Sequence, residues 1–179
     1  LNSNPFDKII KPKSKQTKRK GNFLTKEELK EFLKLASNAT LPYFFPLVHL
    51  MAYTGLREGE ALALKWLDID FEGMKVSVNK TAVRIEGKEH LQTPKTKNSK
   101  RVISIDSNTL SILKEWRKDQ IKTYFKNGKH FEGEENFIFT NKWGDWVRIN
   151  NFIRYFKRFI ADNGLKEITP HGLRHTHLS

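Results

Sequence analysis

The stretch HGLRHTHLS at residues 171–179 is the most informative part of this chain, and Pro170 stands directly before it. Because proline is favoured in the first turn of a helix, Pro170 predicts a helix start. His171, Arg174 and His175 then occupy positions i, i+3 and i+4, which lie on one helical face. A guanidinium fork and an imidazole on one face suit a group of anionic oxygen atoms, above all a phosphate.

A second stretch, TGLREGE at residues 54–60, supplies another arginine, Arg57, with Glu60 three residues later. A carboxylate near a guanidinium can hold it in one rotamer. Taken alone, Arg57 and Glu60 also fit an ordinary exposed helix surface. The functional interpretation of the chain depends on this stretch together with the one at 171–179.

The composition indicates an acidic polymer as the partner. The formal net charge is +13, with 37% hydrophobic residues and no cysteine. Such an excess of positive charge favours nucleic acid over a membrane surface, although a basic face can also serve solubility alone. The absence of cysteine excludes disulfides, Cys-ligated zinc and a cysteine nucleophile. Without a membrane-spanning apolar run or a signal-peptide pattern, we expect a cytoplasmic protein with no membrane partner.

The hydrophobic periodicity predicts a mainly α-helical fold with a small three-stranded antiparallel β-sheet, which is an α+β class. The period is helical in the first and last parts of the chain and close to two in the middle. We expect helices from Thr25, after Pro42 up to Gly55, over 56–64, from Ser107 and over 149–161, and strands over 75–83, 90–93 and 101–105. In the 149–161 helix, Ile153 is predicted to face inward.

Three motifs in a fixed order resemble a known family. TGLREGE is followed by a hairpin with the lysine-rich turn QTPKTKNSKRVI at residues 92–103, and then by HGLRHTH. This order resembles the catalytic domain of the tyrosine recombinases, also called the phage integrase family, especially integrases of integrative elements and temperate phages. The resemblance covers nearly the whole chain. It implies site-specific DNA recombination for integration or excision of a mobile element, through a 3′-phosphotyrosyl intermediate.

The resemblance also implies roles for individual residues. Arg57 and Arg174 would neutralise the charge that develops on the attacked phosphate. His171 would donate to the same phosphate or carry a proton, since an imidazole can do either near neutral pH; a helix-capping histidine is the alternative. Glu60 would orient Arg57 or the histidine. His175 would support the packing of the site.

A lysine of the hairpin would protonate the leaving 5′-oxygen. Lys95 matches this role best and Lys97 is the alternative, because the turn holds several basic residues. The resemblance and the charge pattern together imply DNA contacts by Lys97, Lys100 and Arg101 in the hairpin and by Lys18, Arg19 and Lys20 in the N-terminal arm.

The resemblance divides the chain into a basic interdomain linker or arm at residues 1–22 and a catalytic domain at residues 23–179. The arm contacts the DNA backbone or is only a solvated linker. The implied partners are double-stranded DNA and other recombinase subunits in a synaptic tetramer on DNA. No cofactor and no metal are expected.

The family's nucleophile is a tyrosine beyond the Arg174 motif, whereas the four tyrosines of this chain precede it (Tyr43, Tyr53, Tyr124 and Tyr155). We therefore expect a fragment without the nucleophile, inactive by itself. The main alternative is a non-catalytic DNA-binding fragment or regulator derived from a recombinase. A metal hydrolase is a third possibility, because His171 and His175 have the spacing of zinc ligands, but Arg174 between them would repel a cation.

Overall fold

The computed structural model describes residues 21–93 and 100–177, so the predictions made for Lys18, Arg19, Lys20, Lys95 and Lys97 lie outside the described residues. The described part contains helices and short antiparallel strands, as the periodicity predicted. The helices are α1 (Lys26–Ala36), α2 (Phe44–Thr54), α3 (Glu58–Leu62), α4 (Ser107–Lys126), α5 (Ile149–Asp162) and α6 (Pro170–His177). The strands are β1 (Ile69–Asp70), β2 (Lys75–Val78), β3 (Thr81–Ile85), β4 (Lys88–Gln92) and β5 (Arg101–Ser104).

Local capping determines where the helices start. The Thr25 hydroxyl accepts a hydrogen bond from the Glu28 amide, and the Glu28 carboxylate accepts one from the Thr25 amide, which forms a capping box at α1. Asp106 caps α4 by accepting from the Thr109 amide at 2.9 Å. These side chains satisfy amides that would otherwise lack a partner in the first helical turn.

The strands form two sheets rather than one. A three-stranded antiparallel sheet has the order β1-β2-β5, and β3 and β4 form a separate two-stranded hairpin. The period-two run predicted over 75–83 is therefore interrupted, and the predicted strand at 90–93 belongs to the hairpin. At the interruption, the side chains of Asn79 and Lys80 both bond to the buried carboxylate of Asp68, and the chain leaves the first sheet there.

An aromatic cluster joins the N-terminal helices to α5. The Phe44 ring on α2 lies 4.9 Å from the Tyr155 ring and 4.8 Å from the Phe159 ring, centroid to centroid. Phe32 of α1 contacts the same face of α5 through Phe156 at 5.7 Å. Such tilted aromatic pairs add to the stabilisation from buried area. Ile153 does not share this face, since it is 37% exposed, and the prediction that it faces inward is wrong.

A buried hydrogen-bond network fixes α4 to the chain that follows it. The Gln120 amide accepts from the Trp66 indole at 2.7 Å and donates to the Ile138 carbonyl at 3.0 Å. The Trp116 indole donates to that carbonyl too, at 2.6 Å. Because buried polar groups are costly without partners, these bonds specify one packing of α4. None of the helices in the described ranges is both long and apolar enough to span a lipid bilayer.

Candidate active site

The end of α2 and the helix α6 meet at Gly55. This residue ends α2 in a left-handed conformation with φ of 66°, which glycine adopts without steric cost. Its carbonyl accepts a hydrogen bond from Arg174 Nη1 at 3.0 Å. Arg57 follows two residues later, as the residue before the first turn of α3. The fold therefore places the Arg174 guanidinium on the short connection that carries Arg57, although the two arginines are far apart in sequence.

The N-terminal residues of the described chain hold α6 in place. Asn22 Oδ1 accepts from the Thr169 amide at 2.9 Å, just before α6 begins. About two helical turns further on, the Thr176 hydroxyl accepts from the Leu24 amide at 2.9 Å. Leu173 on the same helix is fully buried in the core. The orientation of α6, and with it that of Arg174, is thus fixed at both ends and along its apolar face.

The helix α3 packs tightly against β3 through Gly59. A Cβ atom at this position would lie 2.6 Å from the Ala82 carbonyl oxygen, so a larger residue would force the two elements apart. At the other end of α3, the Leu62 carbonyl accepts from the Trp146 indole at 2.7 Å. The two glycines of TGLREGE thus have different structural roles. Gly55 ends α2, and Gly59 allows α3 to lie close to β3 of the hairpin.

Glu60 binds two arginines from different elements. Its carboxylate accepts from both terminal nitrogens of Arg101, each at 2.8 Å, and from the Arg57 backbone amide at 2.9 Å. Arg57 Nη1 is more distant, 3.3 Å from Glu60 Oε1. The Arg57 side chain is 56% exposed, whereas Glu60 is 7% exposed. Glu60 thus contacts Arg57 through both its backbone amide and its guanidinium, and the role of Glu60 in orienting Arg57 stays a prediction.

The charged neighbours of Glu60 determine its protonation. Burial by itself would raise the pKa of this carboxyl, but the hydrogen bonds from Arg101 and from the Arg57 amide outweigh burial and lower the pKa below its ordinary value. The same pair raises the pKa of Arg101, chiefly through its hydrogen bonds to Glu60. Glu60 is therefore a carboxylate near neutral pH, and the site carries one anion between two guanidinium groups.

Two of the three histidines of α6, His171 and His175, lie side by side on its exposed face. The rings of His171 and His175 are 4.6 Å apart, centroid to centroid, in an edge-on arrangement with 83° between their planes. Both residues are exposed, and Arg174 is half-buried next to them. Among residues 21–93 and 100–177, no three His, Cys, Asp or Glu side chains are grouped as metal ligands would be. The roles of His171 and His175 stay predictions.

Lys100 and Arg101 are both predicted from the sequence to contact DNA, but their side chains have different surroundings in the structure. Lys100 is exposed, whereas Arg101 turns inward and donates to Glu60. The signal was available in the alternation of β5, in which Arg101 and Ile103 are the less exposed positions. The Gly55 carbonyl, a backbone group, could not be recognised as a partner of Arg174 from side-chain patterns.

Solved structures share this architecture. The Tn1549 transposon integrase, solved in complex with transposon right end DNA, matches with a TM-score of 0.74 and 23% identity over 87% of this chain and 51% of that chain. The XerA recombinase matches with a TM-score of 0.65 and 20% identity, covering 87% of this chain and 48% of that one. The fold is therefore that of the tyrosine recombinase catalytic domain.

The model of the phage integrase family matches residues 22–179, and the chain belongs to this family. One curated relative is the ICEBs1 integrase of Bacillus subtilis (strain 168), 34% identical over 181 residues, which cover 100% of this chain and 47% of the relative. Another is the tyrosine recombinase XerC-like protein of Caldanaerobacter subterraneus subsp. tengcongensis, 32% identical over 84% of this chain and 41% of the relative. The chain thus spans less than half the length of either relative.

Proposed function

We propose that this chain is the phosphate-activating part of a site-specific DNA recombinase that integrates or excises a mobile element. The observation that carries the proposal is the hydrogen bond of Arg174 to Gly55, which brings the second arginine of the family pattern to the connection that holds the first, Arg57. Two guanidinium groups at one place can bind a phosphodiester and stabilise its transition state without a metal.

In the proposed reaction, a tyrosine hydroxyl attacks the phosphorus atom and loses its proton, while the bond from phosphorus to the 5′-oxygen breaks. The products are a 3′-phosphotyrosyl bond and a 5′-hydroxyl, and the reverse step rejoins the strand. Arg57 and Arg174 neutralise the extra charge on the non-bridging oxygens. His171, exposed on the same helix as Arg174, donates to the phosphate or carries a proton, and Lys95 protonates the leaving oxygen.

The proposal extends to the partners and the place of the reaction. Strand exchange between two sites needs several subunits, so we propose a synaptic tetramer on double-stranded DNA in the cytoplasm. The net charge of +13 supports the choice of DNA as substrate. The names of the relatives, which are integrases and recombinases, point the same way.

The test uses the full-length protein that contains this segment and a nicked suicide DNA substrate that traps the covalent intermediate. We expect a covalent protein–DNA band from the wild type. Arg57→Ala and Arg174→Ala should each lower its rate of formation by about 100-fold or more. Duplex binding should persist in both variants, at most about tenfold weaker, and should weaken further with salt, with a log–log slope of about −0.9 per neutralised phosphate.

Arg154→Ala is the matched control, because Arg154 is an exposed arginine of α5 whose side chain bonds to Asn151 of the same helix. It should cleave at nearly the wild-type rate. Binding without any covalent product in the wild-type protein would instead support the regulator or DNA-binding alternative. Near-normal cleavage by either alanine variant would remove that arginine from the site.

A further inference from the structure

The Glu60 carboxylate is shared unequally between two arginines. Arg101 approaches it with two parallel bonds of 2.8 Å, whereas Arg57 Nη1 makes a single contact at 3.3 Å. Two parallel bonds from a guanidinium to a carboxylate form the strongest ion-pair geometry that proteins use. Arg101 is therefore the principal counter-ion of Glu60, and the largely exposed Arg57 is only loosely engaged.

A nearly buried carboxylate needs such a counter-ion. Removing the cation of a buried ion pair leaves a poorly solvated carboxylate, which is stabilised if it pairs with another cation nearby. Among the described residues, the other cation within ion-pair distance of Glu60 is Arg57, whose Nη1 lies 3.3 Å from Glu60 Oε1. The local charge balance is one anion and two cations, and with Arg101 on Glu60 the surplus positive charge remains on Arg57.

We propose that Arg101 is a positioning residue of the phosphate site: by neutralising and fixing Glu60, it leaves the Arg57 guanidinium available to a DNA phosphate. This inference rests on the proposed function, because it assumes that Arg57 binds the phosphate. It differs from the prediction that Arg101 itself contacts DNA. If Arg101 were a direct contact, its effect would not depend on Glu60.

The Glu60 dependence gives a clean test. In Arg101→Gln, the Glu60 carboxylate pairs with the Arg57 guanidinium instead, so Arg57 no longer binds the DNA phosphate. In the double variant Glu60→Gln/Arg101→Gln, the buried anion is absent and Arg57 is free again. The net charge of that double variant equals that of the wild type. Glutamine can still accept from the Arg57 amide, so the first turn of α3 keeps its capping interaction.

The affinity of the 179-residue chain for a short DNA duplex is measured by fluorescence anisotropy at one fixed salt concentration. We expect Arg101→Gln to weaken binding about tenfold, the effect of losing a hydrogen bond to a charged group. Lys126→Gln, which removes the same charge from an exposed residue in the last turn of α4, should weaken binding about threefold or less. Glu60→Gln/Arg101→Gln should return the affinity to within about twofold of the wild type, since Arg57 is released.

Glu58→Gln/Arg101→Gln is the control for net charge. This variant has the same net charge as Glu60→Gln/Arg101→Gln, but Glu58 does not belong to the Glu60–Arg101 pair. It should therefore bind DNA as weakly as Arg101→Gln does. Thermal unfolding of each variant fixes a temperature at which all are folded, and affinities are compared there. A purely structural role of Arg101 would leave the affinity of the folded variant equal to that of Lys126→Gln, which would overturn the proposal.

The proposal is also overturned if Glu60→Gln fails to rescue, because Arg101 then acts on the DNA directly, or if Glu58→Gln rescues equally, because net charge then explains the effect. In the full-length protein, single-turnover cleavage at saturating DNA should follow the same pattern of loss and rescue. If the wild type binds but never cleaves, the proposed function fails. The affinity comparison still decides the role of Arg101.

Discussion

His49 is a buried histidine on α2 whose two ring nitrogens face α4. The Thr109 hydroxyl donates to Asp106 Oδ2 at 2.5 Å, so it accepts from His49 Nδ1, which lies 3.3 Å away. The Asn108 amide donates to His49 Nε2 at 3.4 Å. This network favours the neutral ring with its proton on Nδ1, because a second proton on Nε2 would face the Asn108 amide hydrogens. The Tyr53 ring stacks on the other side at 4.5 Å.

We therefore predict a pH dependence of stability that comes from His49. Burial lowers the pKa of His49, and the opposing attraction of Asp106 is weaker. Because the folded pKa is below the unfolded value, the unfolded chain takes up the proton first. The contribution to stability is thus fully present above about pH 6.5 and is lost as pH falls towards the folded pKa.

The measurement is the free energy of unfolding in urea at pH 7.5 and 5.5, for the wild type and for His49→Asn. The wild type should lose more stability than the variant on acidification, by at most about 1.4 kcal/mol per pH unit for one proton. His90, His171 and His175 are exposed and present in both proteins, so their effects cancel in the difference. Parallel pH curves would show that His49 does not titrate between the two states.

At the scale of elements, short local signals were the most reliable guide. The capping box at Thr25, the stop at Gly55 and the long helix from Ser107 all depend on residues within a few positions of each other, and the structure has all three. The hairpin β3–β4 was not recognised as a separate sheet. The chain leaves the first sheet where Asn79 and Lys80 bond to the buried carboxylate of Asp68. Asp68 is more than ten residues away from them in sequence, so a local pattern does not predict this contact.

The helix α6, which carries Arg174, also shows which features local sequence signals predict and which they do not. Its start at Pro170 and the shared face of His171 and Arg174 could be predicted from spacing alone. Its anchoring could not, because Asn22 contacts it from the opposite end of the chain and lies within residues that were assigned to a linker. The clasp joins Asn22 Nδ2 and Oδ1 to Thr169, with the Asn22 Nδ2 to Thr169 Oγ1 distance at 3.0 Å.

This clasp leads to a prediction for Asn22→Ala. The variant loses the acceptor of the Thr169 amide, so the first turn of α6 should open more often. We expect amide hydrogens of residues 171–176 to exchange about tenfold faster, as for a loss of roughly 1–1.5 kcal/mol of local stability. The readout is native-state hydrogen exchange at individual amides.

Asn38→Ala serves as the control for that experiment, because Asn38 is an exposed asparagine that donates to the Lys34 carbonyl of its own helix end. It should leave exchange in α6 unchanged. If both variants accelerate α6 equally, or if neither does, the clasp at Asn22 does not hold the helix.

For the protein as a whole, the family and the excess of positive charge could be predicted from the sequence, because both depend on many residues together. A charge of +13 needs no knowledge of contacts, and two motifs in a fixed order identify a fold. The site was legible only in part. Motifs predict Arg57, Glu60 and Arg174, but not their partners in the structure: the Gly55 carbonyl, which accepts from Arg174, and Arg101 of a distant strand, which donates to Glu60.

The four tyrosines of the chain decide what these 179 residues can do by themselves. Tyr43, Tyr124 and Tyr155 are buried, and burial, together with Tyr155, raises the pKa of Tyr43 to about 12. Tyr53 is 45% exposed, but its ring lies against His49 in a stack of 4.5 Å. A nucleophilic tyrosine must instead reach a phosphate with its hydroxyl free and in line with the leaving oxygen.

We therefore predict that the 179-residue chain binds a suicide DNA substrate without forming a covalent bond to it. In the proposed site, Arg57 and Arg174 stabilise charge and His171 donates to the phosphate or carries a proton, and none of them is the tyrosine that a phosphotyrosyl bond requires. Denaturing electrophoresis after incubation with labelled DNA is the measurement, and the full-length protein is the positive control. A shifted band that disappears in Tyr53→Phe would place the nucleophile on α2, beside the Gly55 connection, and would contradict the expectation that the attacking tyrosine follows the Arg174 motif.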